Sequence, residues 1–213
     1  KQCLVGSEMC IRDRHRDDLA RLESIDQGKV LSQAREIEIP RSAANFRFFA
    51  GAVEHAASSF HDMGGAGFNY TLRRPRGVVG CIAPWTLPLY LFTWKIAPAL
   101  ATGNTVVGKP SELTPATAGR LGELAIEAGL PRGVLNIVHG DGAVVGHRLV
   151  EHPEVGTITF TGGTSTGARI AETAGPLFKR VSLELGGKNP VVVCEDADPV
   201  SYTHLRAHET LLD

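Results

Sequence analysis

Between residues 15 and 59, apolar side chains recur three and four positions apart among charged ones, as in Leu19 and Leu22 and again in Phe46, Phe49 and Val53. That spacing lines one face of an α-helix, so at least two helices are predicted there. The turn Gly64-Gly65-Ala66-Gly67 follows, and the aromatic and β-branched run Phe68 to Arg74 predicts a strand. From Gly77 onward the rhythm changes. Short apolar runs predict strands at 77–82, 105–108, 135–138, 156–160 and 181–185, separated by helical periods at 89–100, 115–128, 142–150 and 164–174. Thr114 reads as the cap of the second of these helices and Pro115 as its first residue. Strand and helix alternating in this way predict an α/β fold, an open parallel sheet with helices on both faces. Ligands in such sheets sit beyond the carboxyl ends of the strands.

Composition narrows the function classes. A chain of 213 residues with 43% hydrophobic residues is long and apolar enough to bury a core. A net charge of -1, from 22 basic and 23 acidic residues, supplies no general attraction to nucleic acid or an anionic membrane. The longest apolar stretch, Leu87 to Ala101, is interrupted by Pro88, Lys95 and Pro98 and falls short of the roughly 20 residues of a membrane-spanning helix. Neither nucleic acid nor membrane is therefore expected as a partner. Cys3, Cys10, Cys81 and Cys194 form no CxxC pair and no zinc-type cluster. With no secretory signal pattern at the start, this favours a reducing, cytoplasmic setting and no metal.

The two ends break the pattern of the middle. Residues 1–14 and 200–213 read as non-native tails, resembling translated adaptor sequence, with one domain between them at 15–199. His204, His208 and Glu209 would suggest metal ligands, but a tail without a scaffold fixes no coordination geometry.

Four segments carry candidate chemistry, each following a predicted strand: Ala83-Pro-Trp-Thr-Leu-Pro88, Gly108-Lys-Pro-Ser-Glu112, Phe160-Thr-Gly-Gly-Thr-Ser-Thr-Gly167 and Leu183-Glu-Leu-Gly-Gly-Lys188. In the third, Gly162, Gly163 and Gly167 bracket a helix start, where backbone N–H groups and the helix dipole can face an anion. The spacing is not G-x-G-x-x-G, and alone it is more often a plain strand-to-helix connection. Lys109 and Glu112, read in isolation, form a surface ion pair of little worth. Glu184, where a strand ends, is a candidate general base if partial burial raises its pKa.

Together, in this order and spacing, the four segments resemble the aldehyde dehydrogenase family from about His15 to Pro199. The resemblance implies a Rossmann-like cofactor-binding domain and NAD as cofactor. It assigns cofactor contacts to Ile82, Trp85, Lys109, Glu112, Gly142, Gly162, Gly163, Thr164, Ser165, Thr166, Gly167 and Leu185. Lys109 and Glu112 would hold the adenosine ribose, and a carboxylate at Glu112 would repel a 2′-phosphate, so NAD is expected over NADP. Residues 64–76 would be part of a hairpin that joins subunits, making the parent protein a homo-oligomer. Glu184 would activate the water that hydrolyses a thioester. The sequence most resembles the branch acting on muconic semialdehydes, with Arg41 or Arg47 as the anchor of a substrate carboxylate.

Two departures from the family pattern matter. Thr86 stands where an Asn side chain commonly helps stabilise the oxyanion, and Gly163 stands where many members have Ser. The chain also leaves the pattern before the catalytic Cys, and Cys81 and Cys194 both read as buried small hydrophobes. It is thus expected to be an inactive fragment lacking the catalytic domain. The alternative is a non-catalytic nucleotide-binding protein. An acylating reductase of related fold is disfavoured, because such members commonly lack the glutamate found at position 184.

Overall fold

The computed structural model describes residues 14–188, 190 and 192–197. The expected tails fall almost wholly outside the described residues, as do His204, His208 and Glu209. Helix α1 (Arg16–Gln27) stops at Gly28, whose φ of +81° places it in the left-handed region that ends helices with least strain in glycine. A helical turn at Leu31–Gln33 and a π-helical turn at Ala34–Glu38 then lead into α2 (Ile39–Ala52). The helical periodicity of this region thus becomes two helical runs.

Strands β1 (Phe60–Asp62) and β2 (Phe68–Tyr70) pair antiparallel around the glycine turn. Asp62 Oδ1 accepts from the Gly64 N–H at 2.8 Å and fixes that turn. The second strand ends at Tyr70, not at Arg74, because its partner is only three residues long.

The main sheet is entirely parallel. Its strands are β3 (Val78–Ile82), β4 (Thr105–Lys109), β5 (Leu135–Ile137), β6 (Val155–Thr161) and β7 (Arg180–Glu184), in the order β5-β4-β3-β6-β7. Between them run α3 (Pro88–Ala101), α4 (Ala116–Glu127), a π-turn at Gly142–Gly146 leading into α5 (His147–Glu151), and α6 (Thr164–Ala174). The sheet has the doubly wound α/β architecture that the alternation predicts. Since β3 lies between β4 and β6, the chain reverses direction of growth between β3 and β6, and a crevice opens there beyond the strand ends.

Side chains on the two sheet faces feed two cores, as the period of two in a strand requires. Val79, Cys81 and Val106 point toward Phe92, Ile96, Leu121 and Leu124 of α3 and α4. Ile82, Ile158 and Phe160 point the other way, toward Leu149, Val150 and Ile170. Gly108 is required by close approach: a Cβ there would run into the Phe92 ring.

One local expectation fails. Pro115 is the cap residue of α4 rather than its first helical residue, and the Thr114 hydroxyl is buried without a hydrogen-bond partner. The helix start is capped instead by Asp26 of α1, whose Oδ2 accepts from the Ala116 N–H at 2.8 Å.

Candidate functional site

The loops after β3, β4 and β6, the π-turn after β5, and the segment after β7 converge on one open cleft of about 1650 Å³. Ile82, Trp85, Thr86, Lys109, Glu112, Gly142, Gly162, Gly163, Thr164, Thr166, Glu184 and Leu185 all line it. Two of the sequence-derived cofactor contacts do not. Ser165 is exposed on α6, and Gly167 is buried behind the lining, where a Cβ would collide with the Leu185 side chain.

The glycine-rich turn positions the start of α6. The Gly162 N–H donates to the Glu184 carbonyl at 3.1 Å, which ties the turn to the end of β7 and leaves this N–H no longer free for a ligand. Gly163 is the cap residue and supplies no side-chain acceptor. The first-turn N–H groups of α6 lack intrahelical partners, as at every helix start. With the positive end of the helix dipole they form a place for an anion at the cleft wall.

Lys109 is not a surface residue. Its side chain is 2% exposed, and its ammonium donates to the Pro110 carbonyl at 3.0 Å and to Glu112 Oε2 at 2.8 Å. The Glu112 side chain is 47% exposed, and the hydrogen bond from Lys109 holds its carboxyl below the usual range. The pair therefore presents an ionised carboxylate to the cleft from a buried cationic base. Asp141 Oδ1 accepts from the Ala143 N–H at 2.7 Å and fixes the neighbouring turn beside Gly142.

Glu184 reaches the cleft but is exposed rather than partly buried, because β7 is an edge strand of the sheet among the described residues. Burial perturbs a group that the sequence marks only as an interruption of an apolar stretch. Lys95 of α3 is 4% exposed and donates to Thr159 Oγ1 at 3.4 Å. Its pKa is pushed down to about 8 by burial, opposed by Cys81 and Glu184. A lone lysine in an otherwise apolar helix was the available signal.

Neither described cysteine belongs to the cleft lining. Cys81 is fully buried in β3, and burial pushes its thiol up to about 12, so it holds no thiolate at neutral pH. Cys194 is exposed, contrary to expectation, because the chain leaves the sheet after Glu184 and none of the described residues beyond it pairs in a strand.

With this geometry in place, comparison with known proteins identifies the lineage. The family model described as "Aldehyde dehydrogenase family" matches residues 3–207. A 2-aminomuconic semialdehyde dehydrogenase of Homo sapiens is 55% identical over 183 residues, covering 85% of this chain. A 2-hydroxymuconic semialdehyde dehydrogenase of Pseudomonas sp. (strain CF600) is 50% identical over 187 residues, again covering 85% of this chain. The chain spans 38% of the length of either relative. Among solved structures, the NAD+ complex of an aldehyde dehydrogenase from Bacillus cereus superposes with a TM-score of 0.86 at 39% identity, covering 92% of this chain and 40% of that one. The chain belongs to the aldehyde dehydrogenase family.

Proposed function

We propose that the cleft holds NAD and that the complete protein oxidises an aldehyde to a carboxylic acid. The observation that carries this reading is the convergence of five separated segments on one crevice at the reversal point of the sheet. The chemistry of the lining fits a dinucleotide. The uncapped start of α6 at Gly163 to Thr166 would receive the pyrophosphate. Glu112, ionised and seated on Lys109, would accept from the adenosine ribose hydroxyls, and Gly142 would border the adenine. Ile82, Trp85 and Leu185 would flank the path toward the nicotinamide. NAD, when bound, supplies the hydride acceptor.

Around the reacting centre, Thr86 would donate its hydroxyl toward a developing oxyanion, and Glu184 would take a proton from the attacking water. A thiolate nucleophile is also required, and neither Cys81 nor Cys194 lines the cleft. The described part of the chain is read as the cofactor-binding unit, with no thiol among the residues that line the cleft. A cytoplasmic setting goes with this chemistry.

For the substrate we favour a carboxylated semialdehyde. Of the two candidate arginines, the guanidinium of Arg41 lies 5.2 Å from the centre of the Tyr90 ring, and Tyr90 packs edge-on against Trp94 at 5.9 Å. Asn45 donates to the Tyr90 carbonyl and to Thr93 Oγ1, locking α2 to α3 beneath them. The parent protein would assemble through the β1–β2 hairpin, where Phe60, Phe68 and Tyr70 stack in the open at 5.6 and 5.9 Å.

Equilibrium dialysis of the chain against NAD and NADP, with an aldehyde-dependent NADH assay beside it, tests the reading. NAD is expected to bind in preference to NADP, with no NADH formed. Equal binding of both would remove the role given to Glu112.

A further inference from the structure

Helix α1 lies outside the cleft, yet three side chains of its last two turns reach the loops that form it. Glu23 is fully buried, and its Oε1 accepts from the Leu89 N–H at 3.3 Å. Asp26 Oδ2 accepts from the Ala116 N–H at 2.8 Å. Gln27 Nε2 donates to the Thr86 carbonyl at 3.2 Å. The partners stand 66, 90 and 59 positions away in sequence.

The targets are not arbitrary. Leu89 lies in the first turn of α3, directly after the loop carrying Trp85 and Thr86. Ala116 opens α4, directly after the segment carrying Lys109 and Glu112. Neither helix has a side-chain cap from its own cap residue. Their orphan N–H groups depend on α1. The gripping turn is itself anchored: the Lys29 ammonium bonds Glu38 at the entry to α2 and lies 3.7 Å from Glu23 Oε1.

We propose that the last two turns of α1 form a clamp that sets the positions of the two cofactor loops, with Glu23, Asp26 and Gln27 as positioning residues acting through backbone atoms of Leu89, Ala116 and Thr86. Its consequence for binding rests on the NAD reading above; its geometry does not. Gln27 governs the Trp85–Thr86 end, and Asp26 governs the Lys109–Glu112 end. The two ends can therefore be loosened separately.

The test uses the full chain in a Trp94→Phe background, which leaves Trp85 as the sole tryptophan of the two. Acrylamide quenching of Trp85 is measured without ligand, and NAD and AMP affinities by calorimetry, for Gln27→Ala, Asp26→Ala and Asp26→Asn. Gln27→Ala is expected to raise Trp85 quenching and weaken NAD about fivefold, the effect of one lost hydrogen bond, with AMP unchanged. Asp26→Ala is expected to weaken AMP and NAD alike by about fivefold without moving Trp85, and Asp26→Asn, which keeps an acceptor, to restore both.

Unchanged Trp85 quenching in folded Gln27→Ala overturns the clamp, as does a parallel fall of every readout with the melting temperature. If Asp26→Ala unfolds the chain, Gln27→Ala at the half-exposed helix end decides the matter. If the parent chain binds neither NAD nor AMP, the cofactor reading fails by itself, and Trp85 quenching still decides the clamp.

Discussion

The Lys109 ammonium, 2% exposed, lies 2.8 Å from the carboxylate of Glu112, whose side chain is half open to the cleft. The buried partner cannot swing away, so the position of the exposed carboxylate is set from below. Glu112→Gln keeps the shape and removes the charge. It is expected to weaken NAD modestly while improving NADP, narrowing the ratio of their dissociation constants about tenfold, as for a charged hydrogen bond lost and a repulsion relieved. Parallel titrations with the two dinucleotides check this.

Glu23 makes folding pH-dependent in the less common direction for a carboxylate. Burial, opposed by Lys29, pushes its pKa up from 4.5 to about 7. The folded state therefore binds a proton that the unfolded chain releases. This stability is present below pH 4.5 and is lost as pH rises through about 7. The loss is at most on the order of 3 kcal/mol. Urea unfolding of the chain and of Glu23→Gln at pH 5 and pH 8 should show the variant lacking this fall, since glutamine keeps an acceptor for Leu89 but does not titrate.

Lys95 acts on the alkaline side. Its pKa, pushed down from 10.5 to about 8, means that the unfolded chain holds the proton more tightly, so stability rises as pH climbs from 8 to 10.5. Lys95→Met removes a buried ammonium whose hydrogen-bond partner among the described residues is Thr159. It is expected to stabilise the chain near pH 7 by up to about 3 kcal/mol, the advantage shrinking toward pH 10.5. Denaturant midpoints across this range report it.

Packing gives a prediction independent of charge. A Cβ at Gly108 would meet the fully buried Phe92 ring, and one at Gly80 would lie 2.7 Å from Ile158 Cδ1 and 3.1 Å from Leu149 Cγ. Gly108→Ala should cost about 1 to 3 kcal/mol because the ring has no free space to enter. Gly163→Ala, where a Cβ meets nothing within 4 Å, should be close to neutral in thermal melting.

What was legible in the sequence was what repeats or stays local. Short apolar runs such as 77–82, alternating with helical periods, predict the parallel sheet, and strand ends fix which loops share a crevice. Cys194 reads as a buried small hydrophobe, whereas burial depends on packing partners, and none of the described residues beyond Glu184 pairs in a strand. Partial burial of Glu184 is conditional in the sequence, and its exposure follows from β7 lying at an edge of the sheet among the described residues. The capping of α4 was assigned to Thr114, the nearest suitable side chain, while the acceptor is Asp26, 90 positions away. Local chemistry marked Lys109 and Glu112, but only tertiary packing makes one buried and the other open.

The central claim, that the converging loops form a dinucleotide site, is tested most directly by calorimetric titration of the chain with NAD, beside the double variant Lys109→Ala plus Glu112→Ala checked for folding by circular dichroism. The account predicts saturable one-site binding that the folded double variant loses by tenfold or more, an estimate from the charged contacts removed. Undetectable NAD binding by folded chain, or equal binding by the double variant, would contradict it.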